Sequence, residues 1–168
     1  MNKAEKIWNE YSRLMLYIAR GFFGDTPDAE DAVSEAVERI LVCLDQFDEV
    51  PSPPSRTLCA VITKNVCRDI MRREKRLPET EEYPDESPGA GAPSAESVWF
   101  SAQTVEGVKR CVSRLPESYA DILRLKMECR LTAKETASAL GISEGNARIR
   151  LHRARAALVE LMKEEGLL

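Results

Sequence analysis

The chain has 168 residues, 43% of them hydrophobic and 31% charged, with a formal net charge of −4, a length and composition suited to one ordinary soluble domain or two small ones. Five cysteines (Cys43, Cys59, Cys67, Cys111, Cys129) with no CxxC pair, beside a single histidine, argue against a disulfide framework or a zinc site and predict buried, reduced thiols. No apolar run reaches the roughly 18 residues of a membrane span, and Lys3, Glu5 and Lys6 precede only brief apolar runs, so a cytoplasmic chain without membrane insertion is expected.

In the first segment, Ile7, Trp8, Tyr11, Leu14, Met15 and Ile18 recur at helical spacing and predict a helix from about Ala4 to Arg20, ended near Gly21 and Gly24. A second helix is expected after Thr26. Pro27 suits its first turn, and Asp28, Glu30 and Asp31 complement the positive end of its dipole. Its predicted buried stripe is Val33, Val37, Ile40, Leu41 and Leu44, which leaves Glu30, Asp31, Glu35, Glu38 and Arg39 largely outside. Residues 46–55 contain three prolines and read as a loop of fixed shape. The third helix, from about Ser55, is expected to bury Leu58, Val61, Ile62, Val66, Ile70 and Met71. Its other side gathers Lys64, Arg68, Arg72, Arg73, Lys75 and Arg76 into a positive ridge, more cation than a helix C-terminus needs.

Charge divides unevenly along the chain. Residues 1–76 sum to −1, residues 77–98 to −6 and residues 99–168 to +3. The middle segment, LPETEEYPDESPGAGAPSAES followed by Val98, is almost free of large apolar residues and reads as a flexible acidic linker that leaves the two halves free to move independently. Beyond it, Val105, Val108, Val112 and Leu115 repeat at helical steps. Leu115-Pro116-Glu117 marks a break, and Tyr119, Ile122, Leu123, Leu125 and Met127 populate the next helix. No segment shows a convincing period of two. The expected fold is therefore all-α: two small helical bundles, 1–76 and 99–168, joined by a linker at 77–98.

The stretch TAKETASALGISEGNARIRLHRAR, Thr132 to Arg155, carries the functional signal. Thr132 and Ser143 are residue types that cap helix starts, and Gly141 between them can take the positive φ of a tight turn, which is the pattern of a helix-turn-helix. On its second helix Ala147, Leu151, Ala154 and Leu158 share one packing face, while Arg148, Ile149, His152, Arg153 and Arg155 point elsewhere. One side packs and the other suits an anionic partner.

Taken together, DAEDAVSEAVERIL (Asp28 to Leu41), ITKNVCRDIMRREKR (Ile62 to Arg76) and LPESYADILRLKMECRLTAKETASALGISEGNARIRLHRAR (Leu115 to Arg155) resemble the second and fourth regions of bacterial sigma factors of the extracytoplasmic-function (ECF) type. The resemblance covers nearly the whole chain and implies an alternative sigma factor that binds RNA polymerase core and directs promoter recognition and strand opening. Within it, Glu30, Asp31, Glu35 and Arg39 are implied contacts to the β′ clamp helices, and the fourth region is implied to meet the β flap. The loop from Phe47 to Ser55 and the third helix are implied to handle the minus-ten element. There Asn65 offers a donor and an acceptor to a base edge, and Lys64, Arg68, Arg72, Arg73 and Arg76 follow phosphates. The helix from Ser143 is implied to enter the major groove of the minus-thirty-five element. Glu144, Asn146, Ile149, His152 and Arg153 then approach bases, and Arg148, Arg150 and Arg155 hold phosphates. An anti-sigma factor is an implied partner, and the free chain is expected to be a monomer. Ser34 and Thr57 stand where the family commonly has Gln and Trp, and Asn146-Ala147 stands where Thr-Val is common.

Two other readings stay open on sequence alone: a stand-alone helix-turn-helix regulator, and a sigma-like decoy or adaptor that binds without promoter opening. An enzyme is not expected, nor a cofactor or metal, because the single histidine lies on the expected DNA face and no phosphate-cradling glycine loop or carboxylate-rich metal cluster is present.

Overall fold

Asn2 opens the first helix with a reciprocal cap: its side chain accepts from the Glu5 amide at 2.8 Å, and the Glu5 carboxylate accepts from the Asn2 amide at 2.8 Å. The computed structural model describes residues 1–75 and 102–168. The acidic segment, Arg76 and the residues just before Ala102 lie outside them, so the expectation of a flexible linker does too. The helices are α1 (Lys3–Phe23), α2 (Pro27–Val42), α3 (Pro53–Lys75), α4 (Ala102–Arg114), α5 (Glu117–Met127), α6 (Ala133–Leu140) and α7 (Glu144–Glu164), with a short 3-10 turn at Leu44–Gln46. No strand occurs among the described residues, and no described helix is long and apolar enough to cross a membrane.

Helices α1, α2 and α3 pack mutually as one bundle, and α4 to α7 form the second. In α1 the stripe Ile7, Tyr11, Met15 and Ala19 is buried, whereas Trp8 is half exposed. With two neighbours, α1 covers one stripe and leaves its flank to water. Helix α2 corrects the sequence reading more sharply. It packs through Ala29, Ala32, Val33, Ala36 and Ile40, while Leu41, expected inside, is 48% exposed. Small side chains let the backbones of α2 and its neighbours approach, so alanines share the contact with Val33 and Ile40, which are buried as the spacing predicts. Val105, also expected on an apolar stripe, is exposed, and Ile70 and Met71 are half-buried.

The proline-rich loop is held from beneath. Phe47 is fully buried. The Tyr11 hydroxyl lies 2.6 Å from Ser55 Oγ and accepts from the Ser52 amide at 3.2 Å, while Ser52 Oγ donates to the Glu49 carbonyl at 2.8 Å. These bonds satisfy loop polar groups that proline leaves without regular partners. In the second bundle, Arg114 at the end of α4 pairs with Glu164 and Glu165 at the end of α7. Gly107 lets Leu167 pack on α4, where a Cβ would lie 2.8 Å from Leu167 Cδ1.

Cys43, Cys59, Cys67 and Cys111 are buried and Cys129 is half-buried, all as free thiols. Burial pushes the Cys59 thiol up to about 12 and Cys67 up to about 11; burial, aided by the Glu128 carboxylate, pushes Cys129 up to about 12. Because the thiolate is the nucleophile, these groups are inert at neutral pH. Ellman's reagent at pH 8 is expected to react slowly with the native chain and fully only in denaturant. A fast equivalent in the native chain would contradict this burial.

Candidate nucleic-acid interface

The helix-turn-helix forms at the marked boundaries. Thr132 Oγ1 accepts from the Glu135 amide at 3.2 Å, and the Glu135 carboxylate accepts from the Thr132 amide at 2.7 Å. Gly141 adopts φ 64°, ψ 36°, the left-handed conformation in which a side chain is disfavoured. The Ile142 amide returns to the Ala137 carbonyl at 3.0 Å, and Ser143 Oγ accepts from the Asn146 amide at 3.1 Å to start α7. Ala147, Ala154 and Leu158 are buried and Leu151 packs against the core, as the spacing predicts.

The remaining face of α7 presents the residues singled out from sequence. Arg148, Arg153 and Arg155 are exposed; Glu144, Asn146, Ile149, Arg150 and His152 are half-buried. Asn146, Ile149 and Arg153 fall at steps of three and four and share one stripe. Arg148 pairs with Glu144 one turn earlier. Exposed pairs of this kind contribute only about 0.3–0.5 kcal/mol, so this one opens at little cost.

On α3 the structure divides the positive ridge in two. Arg72 pairs with Asp69 at 3.2 Å, and Arg73 reaches Glu35 of α2 at 2.9 Å. Lys64 and Arg68 instead face the second bundle. Lys64 Nζ lies 2.9 Å from Asp121 Oδ1, and Arg68 Nη1 lies 3.0 Å from Asp121 Oδ2. Glu117 flanks both, 3.6 Å from Lys64 and 2.9 Å from Arg68. Asp121 also accepts from Arg124 at 3.1 Å, and its side chain is 2% exposed. A carboxylate so removed from water is sustained by its three cations. Asn65 is buried and donates through Nδ2 to the Leu140 carbonyl at 2.9 Å, satisfying a carbonyl at the end of α6.

Of the α2 residues implied in polymerase docking, Glu30 and Asp31 are exposed. Glu35 is tied to Arg73, and Arg39 pairs with Asp69 at 3.3 Å while its guanidinium lies against Gly141. Ser34 donates to the Glu30 carbonyl of its own helix. Thr57 donates to Glu128 across the bundles at 2.7 Å, and the Cys129 thiol reaches the Pro54 carbonyl nearby. The sequence reading missed Asp121, Glu117 and Glu128 altogether. One signal was available: Asp121 sits one turn before buried Leu125, at an apolar phase of α5 where an acid needs a partner. The two halves, read from sequence as independent, are in contact through α3 with α5 and α6 and through α2 with α6, and their buried residues form one continuous cluster.

Two family descriptions match the chain in order: Sigma-70 region 2 over residues 7–77 and Sigma-70, region 4 over residues 106–158. Among curated proteins, the chain is 28% identical over 146 residues to the ECF RNA polymerase sigma factor ShbA of Streptomyces griseus subsp. griseus, spanning 80% of this chain and 72% of that one. It is 31% identical over 105 residues to the RNA polymerase sigma factor SigZ of Bacillus subtilis, spanning 61% of this chain and 55% of the relative. A solved structure of the sigma factor RpoE in complex with the anti-sigma factor NepR from Bartonella quintana is 18% identical and covers 90% of this chain and 91% of its own, with a TM-score of 0.37. That likeness is too distant to bear on how the bundles are arranged here. With both regions matched on two helical bundles, the second built around a capped helix-turn-helix, the chain belongs to the sigma-70 family and to its ECF type.

Proposed function

We propose that this chain is an alternative sigma factor that binds RNA polymerase core, selects promoters through two separate grips and promotes strand opening at one of them. The observation that carries this reading is the α7 face with Arg148, Arg153 and Arg155 exposed beyond a fixed, capped turn. A helix presented in this way suits the major groove of a minus-thirty-five element, N-terminal end first. Asn146, Ile149, His152, Arg153 and Glu144 approach base edges, and Arg148, Arg150 and Arg155 hold the backbone, since phosphate contacts position without specifying sequence.

The loop ending at Ser55 and helix α3 serve the minus-ten element. Lys64, Arg68, Arg72, Arg73 and Arg76 follow the strand and Asn65 meets a base. Energy for opening comes from these contacts and needs no nucleotide hydrolysis. Glu30, Asp31, Glu35 and Arg39 dock on the β′ clamp helices, the second bundle meets the β flap, and an anti-sigma factor holds the chain in check. This activity belongs in the cytoplasm, with the polymerase.

Run-off transcription with purified core on a genomic promoter pool tests the reading: discrete transcripts dependent on this chain are expected. Failure to bind core in a pull-down overturns it. Permanganate footprinting adds the residue-level test. Arg72→Ala with Arg73→Ala is expected to reduce thymine reactivity at the opened region while the closed complex still forms; unchanged opening rejects the role given to α3.

A further inference from the structure

Tyr17 of α1 is 79% exposed, although that helix packs on its bundle through the opposite side, Ile7, Tyr11, Met15 and Ala19. A ring so far out adds little to the core. Arg13 and Arg20, four residues before it and three after, are also exposed and flank it on the same face. The partner of Arg20 is Asp25 at 3.2 Å, itself 88% exposed, and such a pair opens at little cost. Tyr17, Arg20 and Phe22 line a groove of about 520 Å³ that reaches Lys64 of α3, a size that takes a small flat group. Glu117 of α5 is also in its wall, 3.6 Å from Lys64. Phe22 is braced by Phe23, with ring centroids 6.3 Å apart, and Gly21 leaves room, since a Cβ there would meet nothing within 4 Å. Rings set between cations and continuous with a cationic helix have the chemistry of a single-strand site, in which rings take bases and cations take phosphates.

We propose that Tyr17 is a stacking platform for one unpaired base of the opened promoter strand, which leaves the cations of α3 at Lys64 and crosses to α1 by this groove. The inference rests on the assignment of α3 to the minus-ten strand. Only a base already out of the duplex can stack on a protein ring, so the contact stabilises the open complex and adds nothing to closed binding. Arg13 and Arg20 hold phosphates on either side of that base. The ring accepts any base, because each has a π-face, and so it contributes affinity for the opened strand without choosing its sequence.

The test uses the full chain bound to core polymerase, with fluorescence anisotropy on a labelled promoter fragment whose minus-ten region is held open by mismatches, beside the same fragment as full duplex. Tyr17→Ala is expected to weaken binding to the open fragment about fivefold or more, the lower end of what stacking on one ring supplies, and to leave the duplex fragment unchanged. At a side chain this exposed the variants keep the fold, which circular dichroism checks. Tyr17→Phe retains wild-type affinity, whereas Tyr17→Leu behaves as Tyr17→Ala, because apolar area without a ring does not stack. Trp8→Ala, nine residues and therefore half a turn away round the same helix, changes neither fragment. Replacing the bases of the open strand one at a time by abasic sites identifies the partner: at one position the missing base weakens the wild type but not Tyr17→Ala. Wild-type affinity for Tyr17→Ala, or abasic losses equal in the two proteins at every position, overturns the platform. Arg72→Ala with Arg73→Ala, measured alongside, separates the two assignments. If that variant weakens the open fragment and Tyr17→Ala does not, the platform alone falls; if neither does, the α3 assignment falls with it.

Discussion

Phe47→Ala lowers the unfolding free energy by about 3–5 kcal/mol, the usual cost of removing a fully buried aromatic ring together with the cavity it leaves. Phe47 has no exposed surface and sits where the 3-10 turn passes into the proline-rich loop. Against a total stability of about 5–15 kcal/mol for a domain, this one change takes a large share. The measurement is urea denaturation followed by circular dichroism, with the midpoint falling and the slope preserved. The proposed function adds a second consequence. Phe47 anchors the loop that leads into α3, so the variant also loses strand opening on templates where its closed complex still forms. A midpoint within experimental scatter of the wild type would mean that the ring is not the keystone its burial indicates.

On the recognition helix, Arg153→Ala and Arg148→Ala should separate cleanly. A bidentate arginine to guanine discriminates by about 1–3 kcal/mol, so Arg153→Ala is expected to weaken binding to the preferred minus-thirty-five sequence by roughly ten- to hundredfold and leave other sequences nearly unchanged. Arg148→Ala weakens all sequences alike, and the salt dependence loses about 0.9 in slope for one lost phosphate contact. The free chain already shows why these differ in cost. Arg148 leaves only an exposed partner one turn away, Glu144, when it turns to DNA. The pair of variants is compared in complex with core polymerase on a set of single-base promoter changes. An equal loss on every sequence for Arg153→Ala would reassign it to the backbone.

Most of the architecture was legible because helix ends are written in local chemistry. Pro27, Thr132, Gly141 and Ser143 sit at the boundaries their residue types imply, and each forms its structure with neighbours a few residues away. Depth was less legible than element type. Periodicity places Leu41 and Val105 on apolar stripes, but whether a stripe is covered depends on how many helices surround it, and both are exposed. The converse holds for Ala29, Ala32 and Ala36, whose small side chains give a weak apolar signal and a close helix contact.

The candidate site divides along the same line. The face of α7 follows from helical geometry alone, and the structure places it as the spacing predicts. Asp121, the partner that Lys64 and Arg68 share, lies 53 or more residues from each, across the acidic segment, so no local pattern could assign it. What the sequence did contain was an unexplained acid at position 121 on the buried side of α5. A charge at an apolar phase asks for a partner from elsewhere in the fold, and here the other bundle supplies it.

Gly141 makes the two bundles mutationally interdependent. Its backbone lies in a conformation that disfavours side chains, and a Cβ there would also lie 2.9 Å from the Arg39 guanidinium. Two constraints of different origin thus meet at one position: the turn that aims the recognition helix and the seat of a cation from α2. Changes at positions 39 and 141 are therefore not additive. Shortening the side chain at 39 relieves the crowding that a substitution at 141 creates, yet the backbone penalty of the turn remains. A residue whose local role is to bend one helix into the next also records, through epistasis, whether the far half of the molecule is in contact.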